Sequence, residues 1–173
     1  MPSMTEINLS YINSLSEAQA QEAFFNCSGS PVWAKTMVSS RPFASEEEIK
    51  NKSALAWGTL SHSDWLQAFA SHPKIGDKES LRKKFAATAH WAANEQGGVD
   101  NASEQTIERL ALLNEQYEAR FGYIFIVCAT GKTAEQMLAI LEERLPHEPD
   151  GEFDIACDEQ KKITQLRLEK LAP

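Results

Sequence analysis

Along most of this chain apolar residues recur at the three- and four-residue spacing of a helix face, not at the alternate spacing of a half-buried strand. From Ser103 to Phe121 the stripe runs through Ile107, Leu110, Tyr117 and Phe121, with Asn114 among them, and Gly122 stands where a left-handed residue closes a helix. Met137, Leu138, Leu141 and Leu145 repeat the period until Pro146 ends it. A final helix is expected from about Asp154 to Leu171 on the same grounds. Helix starts are marked by Ser16 with Gln19, Ser45 with Glu48 and Thr133 with Gln136, each spaced as a capping box. One segment breaks the pattern. Tyr123 to Ala129 is apolar throughout and rich in aromatic and β-branched residues, yet no second run of this kind exists to pair with it. It is either helical by tertiary override or an extended wall whose backbone groups meet something else, such as a polar ligand.

These elements read as a series of short helices. With 173 residues, 42% of them hydrophobic, the chain can bury one continuous core, and no repeat or Pro/Gly-rich linker divides it, so a single domain over 1–173 is expected. The 17 Lys and Arg against 25 Asp and Glu leave a net charge of -8 with no basic run, which argues against nucleic acid as a partner. The start has neither a basic n-region nor an apolar stretch, and no run approaches membrane-spanning length; a cytoplasmic protein with no membrane partner is expected. Cys27, Cys128 and Cys157 are an odd, widely spaced set, read as free thiols. His62, His72, His90 and His147 form no HxxxH or HxH pair, so no metal site is expected, and glycine-rich phosphate loops and a GxSxG elbow are likewise missing.

Three residues invite a chemical reading. His72 precedes Pro73 in Ser71-His72-Pro73-Lys74-Ile75-Gly76-Asp77, and proline drives the preceding residue out of the α region, so the ring projects from a helix end or loop. That suits an acid or base near neutral pH, although histidines so placed are more often structural. Glu95 falls on one face with Trp91 and Ala92 ahead of the Gly97-Gly98 stop. Desolvation beside the indole would raise its pKa; the plainer reading is an ordinary exposed glutamate. Arg167 has Ile163 and Leu171 as its i−4 and i+4 neighbours, on what should be an apolar stripe. It needs an anionic partner there, or its stem snorkels to water.

With these residues in place, the sequence resembles the 2-oxo-4-hydroxy-4-carboxy-5-ureidoimidazoline (OHCU) decarboxylase family over nearly its whole length. The likeness runs from Leu9 and Asn13-Ser14-Leu15 through Cys27-Ser28, Trp33 and Arg41-Pro42-Phe43 to His72-Pro73-Lys74-Ile75-Gly76. It continues through Glu95-Gln96, Leu113-Asn114 with Tyr117, and Phe121-Gly122 with Phe125, to Ile163 and Leu166-Arg167-Leu168. The resemblance implies an all-α fold, a compact bundle of about eight short helices, and a homodimeric enzyme, without cofactor or metal, that converts OHCU to S-allantoin and carbon dioxide in uric acid breakdown. It implies that His72 is the catalytic acid, with Glu95 working beside it and Pro73 bordering the substrate. Substrate contacts would come from Ala92, Ala93, Asn94 and Gln96 around Glu95, from Phe125, Ile126, Val127, Cys128 and Ala129, and from Arg167. The family usually has a serine where this chain has Ala92, so the hydroxyl contact expected there is absent or supplied by another group, such as water or Asn94. A catalytically inactive helical module that binds ureido ligands is the alternative.

Overall fold

The computed structural model describes residues 6–72 and 99–173, with the backbone alone for 99–103. Among the described residues there are eight helices and no strand: α1 (Leu9–Ser14), α2 (Glu17–Ser28), α3 (Pro31–Ser39), α4 (Glu46–Gly58), α5 (His62–Ala70), α6 (Val99–Phe121), α7 (Ala134–Arg144) and α8 (Pro149–Glu169). None of these helices is long and apolar enough to cross a membrane.

Local chemistry explains most of the boundaries. Ser16 and Thr133 close full capping boxes with Gln19 and Gln136, as their spacing predicts. Ser45 caps α4 by accepting from Glu48 N–H, but the Glu48 carboxylate reaches back to Ala44 N–H at 3.3 Å, one residue short of a reciprocal box. A further box, Ser61 with Asp64, starts α5. Helix α6 ends at Gly122, whose φ of 85° lets its N–H turn back to Glu118 O at 2.8 Å. The last helix begins earlier than its apolar period suggests: Pro149 supplies a pre-set φ at the first position, and Asp150 and Glu152 place negative charge in the first turn.

Two compact units divide the chain. The first joins Met1–His72 to Ile126–Cys128 and Cys157–Pro173, and the second contains Pro73–Phe125 and Ala129–Ala156. In the first, Trp33, Phe24, Ile12, Met37, Ile49 and Leu168 are fully buried, with Phe24 edge-on to both Trp33 and Phe43. Two of the residues that carry the family resemblance have structural work here. Asn13 exchanges two hydrogen bonds with the backbone of Phe43, each 2.9 Å, and Arg41 Nη1 donates to Ile12 O and Leu15 O at the end of α1. In the second unit α6 packs along α7.

That second unit also holds a buried ionic cluster. Glu152, fully buried, accepts from Arg144 Nε at 2.9 Å and Nη2 at 2.5 Å, from the Tyr117 hydroxyl, and lies 3.1 Å from His147 Nδ1. Burial, followed by the hydrogen bond to Glu152, pushes the Tyr117 phenol far above its ordinary range.

Candidate active site

His72 lies just past α5. That helix buries Ala68 and Phe69, ends on Ser71, and leaves His72 half-buried with its N–H on Phe69 O at 3.2 Å. This is the non-helical placement expected for a residue before proline. The chain at this point is seated against Gly29, the left-handed residue that closes α2 at φ 76°. A Cβ on Gly29 would overlap Ser71 Oγ and stand 2.9 Å from Ala68 O, so only glycine admits both the backbone turn and the close approach.

The His72 ring meets the second half of α8. Its Nε2 is hydrogen-bonded to Gln160 Oε1. Gln160 is fully buried, and its amide nitrogen reaches Ser28 O at 3.3 Å and Thr164 Oγ1 at 3.2 Å. Sequence reasoning missed Gln160, although a signal was present. Glu152, Ala156, Gln160, Thr164 and Leu168 recur every fourth residue and are all buried, and polar members of such a stripe must find partners inside.

Arg167 belongs to the same neighbourhood. Its guanidinium meets backbone carbonyls where an anionic partner was one expectation: its Nη1 donates to Asn26 O at 3.2 Å and Cys27 O at 3.3 Å, in the last turn of α2. The carbonyl end of a helix carries partial negative charge and accepts a cation well. Close by, burial pushes the Cys27 thiol up to about 12, against the opposing pull of the Arg167 charge.

The segment after Tyr123 is neither helix nor strand, which removes the helical alternative. Ile126, Val127 and Cys128 are buried, and Cys128 N–H donates to Glu159 Oε1 at 3.1 Å. Glu159 in turn accepts from Lys162 Nζ at 2.6 Å. Phe125, in the second unit, lies edge-on to Tyr117 with the Arg144 guanidinium 4.6 Å above its ring. Ala129 follows at half exposure, its carbonyl accepting from Lys132 N–H at 3.0 Å. In the first unit, then, the structure brings His72, Ile126–Cys128 and Arg167 onto α2 and the later part of α8. Pro73, Ala92, Ala93, Asn94, Glu95 and Gln96 lie outside the described residues. Among the described residues no three His, Cys, Asp or Glu side chains group as metal ligands.

A half-buried imidazole with one nitrogen fixed by a buried amide can hold a proton in a set direction. In the same unit Arg167 holds the last turn of α2, whose Ser28 carbonyl accepts from the same Gln160, and Cys128 N–H meets Glu159 on α8. The sequence model of the OHCU decarboxylase family matches residues 13–169. The chain belongs to the OHCU decarboxylase family. Its relatives include the OHCU decarboxylase of Haloferax volcanii, 30% identical over 166 residues that cover 95% of this chain and 96% of that one. It is also 37% identical over 147 residues, 84% of its length, to the uric acid degradation bifunctional protein TTL of Arabidopsis thaliana, and spans only 45% of that longer protein. Among solved structures, an OHCU decarboxylase crystallised in the presence of (S)-allantoin superposes with a TM-score of 0.69 at 35% identity, over 87% of this chain and 96% of that one.

Proposed function

We propose that this chain is a carboxy-lyase that decarboxylates OHCU to S-allantoin in uric acid degradation, acting as a cytoplasmic homodimer with 1–173 as one catalytic domain. The observation that supports this reading is the family match across residues 13–169, which takes in His72, the segment after Tyr123 and Arg167.

The chemistry needs little from the protein beyond positioning. In the substrate one ring carbon bears both hydroxyl and carboxylate, next to a C=N bond. As the bond to the carboxylate breaks, its electron pair forms a C=C bond within the ring and the imine π pair moves to nitrogen. The nitrogen takes a proton, the enol gives one up, and the adjacent ring carbon takes another on one face, so the overall reaction consumes one proton. Because the imine receives the electrons, no cofactor is required as a sink. His72 supplies and returns protons, an effect typically worth about 10²–10⁴-fold in rate. Glu95 accepts hydrogen bonds from ureido N–H and hydroxyl groups. The backbone of Phe125 to Ala129 and the segment Ala92 to Gln96, with Pro73, border the ring. Arg167, already shared with two backbone carbonyls, serves a substrate carbonyl better than the departing carboxylate, since neutralising that group would stabilise the ground state.

The test is incubation with freshly generated OHCU, following carbon dioxide release and the dichroism of S-allantoin. Both signals, above the spontaneous rate, are expected. Ring opening without carbon dioxide would mark a hydrolase, and binding without turnover an inactive ureido-binding module.

A further inference from the structure

Gln160 is fully buried on α8, and its three polar contacts fix which way its amide faces. The Ser28 carbonyl, 3.3 Å away, can only accept, so the Gln160 atom facing it is the NH2 group. Thr164 Oγ1, at 3.2 Å, takes the other N–H. The atom left toward His72 Nε2 is the amide oxygen, which has no hydrogen to give. Nε2 must therefore carry the hydrogen in both the neutral and the charged ring, and the lone pair of the neutral ring sits on Nδ1.

We infer that Gln160 is a positioning residue for His72: oriented by Ser28 and Thr164, its side-chain carbonyl holds the hydrogen on Nε2 and directs proton exchange with the substrate through Nδ1. The inference rests on the reading of His72 as the acid. The same contacts tie the ring to the α2 C-terminus, where Gly29 and Arg167 also converge, so the imidazole is held from its backbone and from its far nitrogen at once. A residue that acts through another in this way changes turnover more than substrate affinity.

The experiment combines imidazole ¹⁵N spectra of the free protein with steady-state kinetics on the full chain. In the parent, His72 should show a protonated Nε2 and an unprotonated Nδ1 when neutral. Gln160→Met keeps the length of the side chain and removes the amide. It should average the two nitrogens and lower kcat about ten-fold with KM within about two-fold, the size of one lost hydrogen bond. Thr164→Val, which frees one amide N–H while keeping shape, should move both readouts the same way by about two- to three-fold, and it serves if Gln160→Met does not fold. An Nδ1-protonated neutral ring in the parent, or unchanged ¹⁵N shifts and kcat in the variants despite a lower melting temperature, would overturn the inference. The underlying reading fails separately, through parent-like turnover in His72→Asn, and the spectra need no substrate.

Discussion

Three residues at the end of α2 or linked to it, His72, Gly29 and Cys27, can each be tested singly. His72→Asn keeps size and polarity but cannot carry a proton, so turnover should fall by about 10²-fold or more with circular dichroism unchanged. Turnover within a few-fold of the parent would remove His72 from the reaction. Gly29→Ala forces an L residue to a φ of 76° and pushes a methyl into Ser71 and the Ala68 carbonyl. A loss of roughly 2–4 kcal/mol in urea denaturation is expected, partly recovered in Gly29→Ala/Ser71→Gly. Cys27 gives a pH dependence with a definite sign. Its folded thiol keeps its proton up to about 12 while the unfolded one loses it near 9.0, so stability contributed by this group is complete below 9.0 and falls as pH rises between those values. Cys27→Ala should flatten the decline of unfolding free energy over that window; an unchanged slope would show that the thiol is not the titrating group. His72 was legible in the sequence because proline constrains its neighbour whatever the fold. Gln160 was not, because a glutamine on a helix reads as surface until its stripe is known to be buried, and for Arg167 the choice was between an anionic partner and a stem reaching to water, when the carbonyl end of another helix suffices.

The helices themselves were legible where ends are set by neighbouring residues and obscure where they are set by packing. Capping at Ser16 and Thr133 was readable because the partners lie three residues apart. Glu48 shows the limit of that logic, since its carboxylate chose Ala44 N–H over the cap residue. The start of α8 was read about one turn late, because Gly151 interrupts the apolar period there and Glu152 points its charge inward instead. That inward charge makes a prediction about the second unit. Glu152→Gln leaves the Arg144 guanidinium, 4% exposed, without its carboxylate, which typically costs about 3–5 kcal/mol. Replacing its three buried members together, as Tyr117→Phe/Arg144→Met/Glu152→Leu, leaves the half-exposed His147 to turn to water and should recover most of that loss. Melting temperatures and urea midpoints for the two variants decide it. Equal destabilisation in both would mean that the cluster stabilises in its own right rather than merely satisfying its own buried charges.

The chain as a whole carries a formal charge of -8 and, on the proposed reading, must bring in a substrate bearing a carboxylate. At a distance on the order of 20 Å in water, eight unit charges repel one by about 1.7 kcal/mol before screening. Counterions shorten the reach of that repulsion from about 30 Å at 0.01 M salt to about 8 Å at 0.15 M. Local cations such as Arg167 act at closer range, and in this structure Arg167 shares its charge with the carbonyls of Asn26 and Cys27. Long-range repulsion should therefore dominate the approach. It raises the free energy of the bound transition state relative to separated enzyme and substrate, so it enters kcat/KM whichever step limits turnover. Raising potassium chloride from about 0.01 to 0.15 M should increase kcat/KM a few-fold, the reverse of an enzyme whose site field attracts its substrate. S-allantoin is uncharged, so its inhibition constant should stay flat over the same range and report any effect of salt on the protein itself. A kcat/KM that falls with salt while product inhibition holds steady would mean that the site field is positive at long range, and that cations beyond Arg167 draw the substrate in.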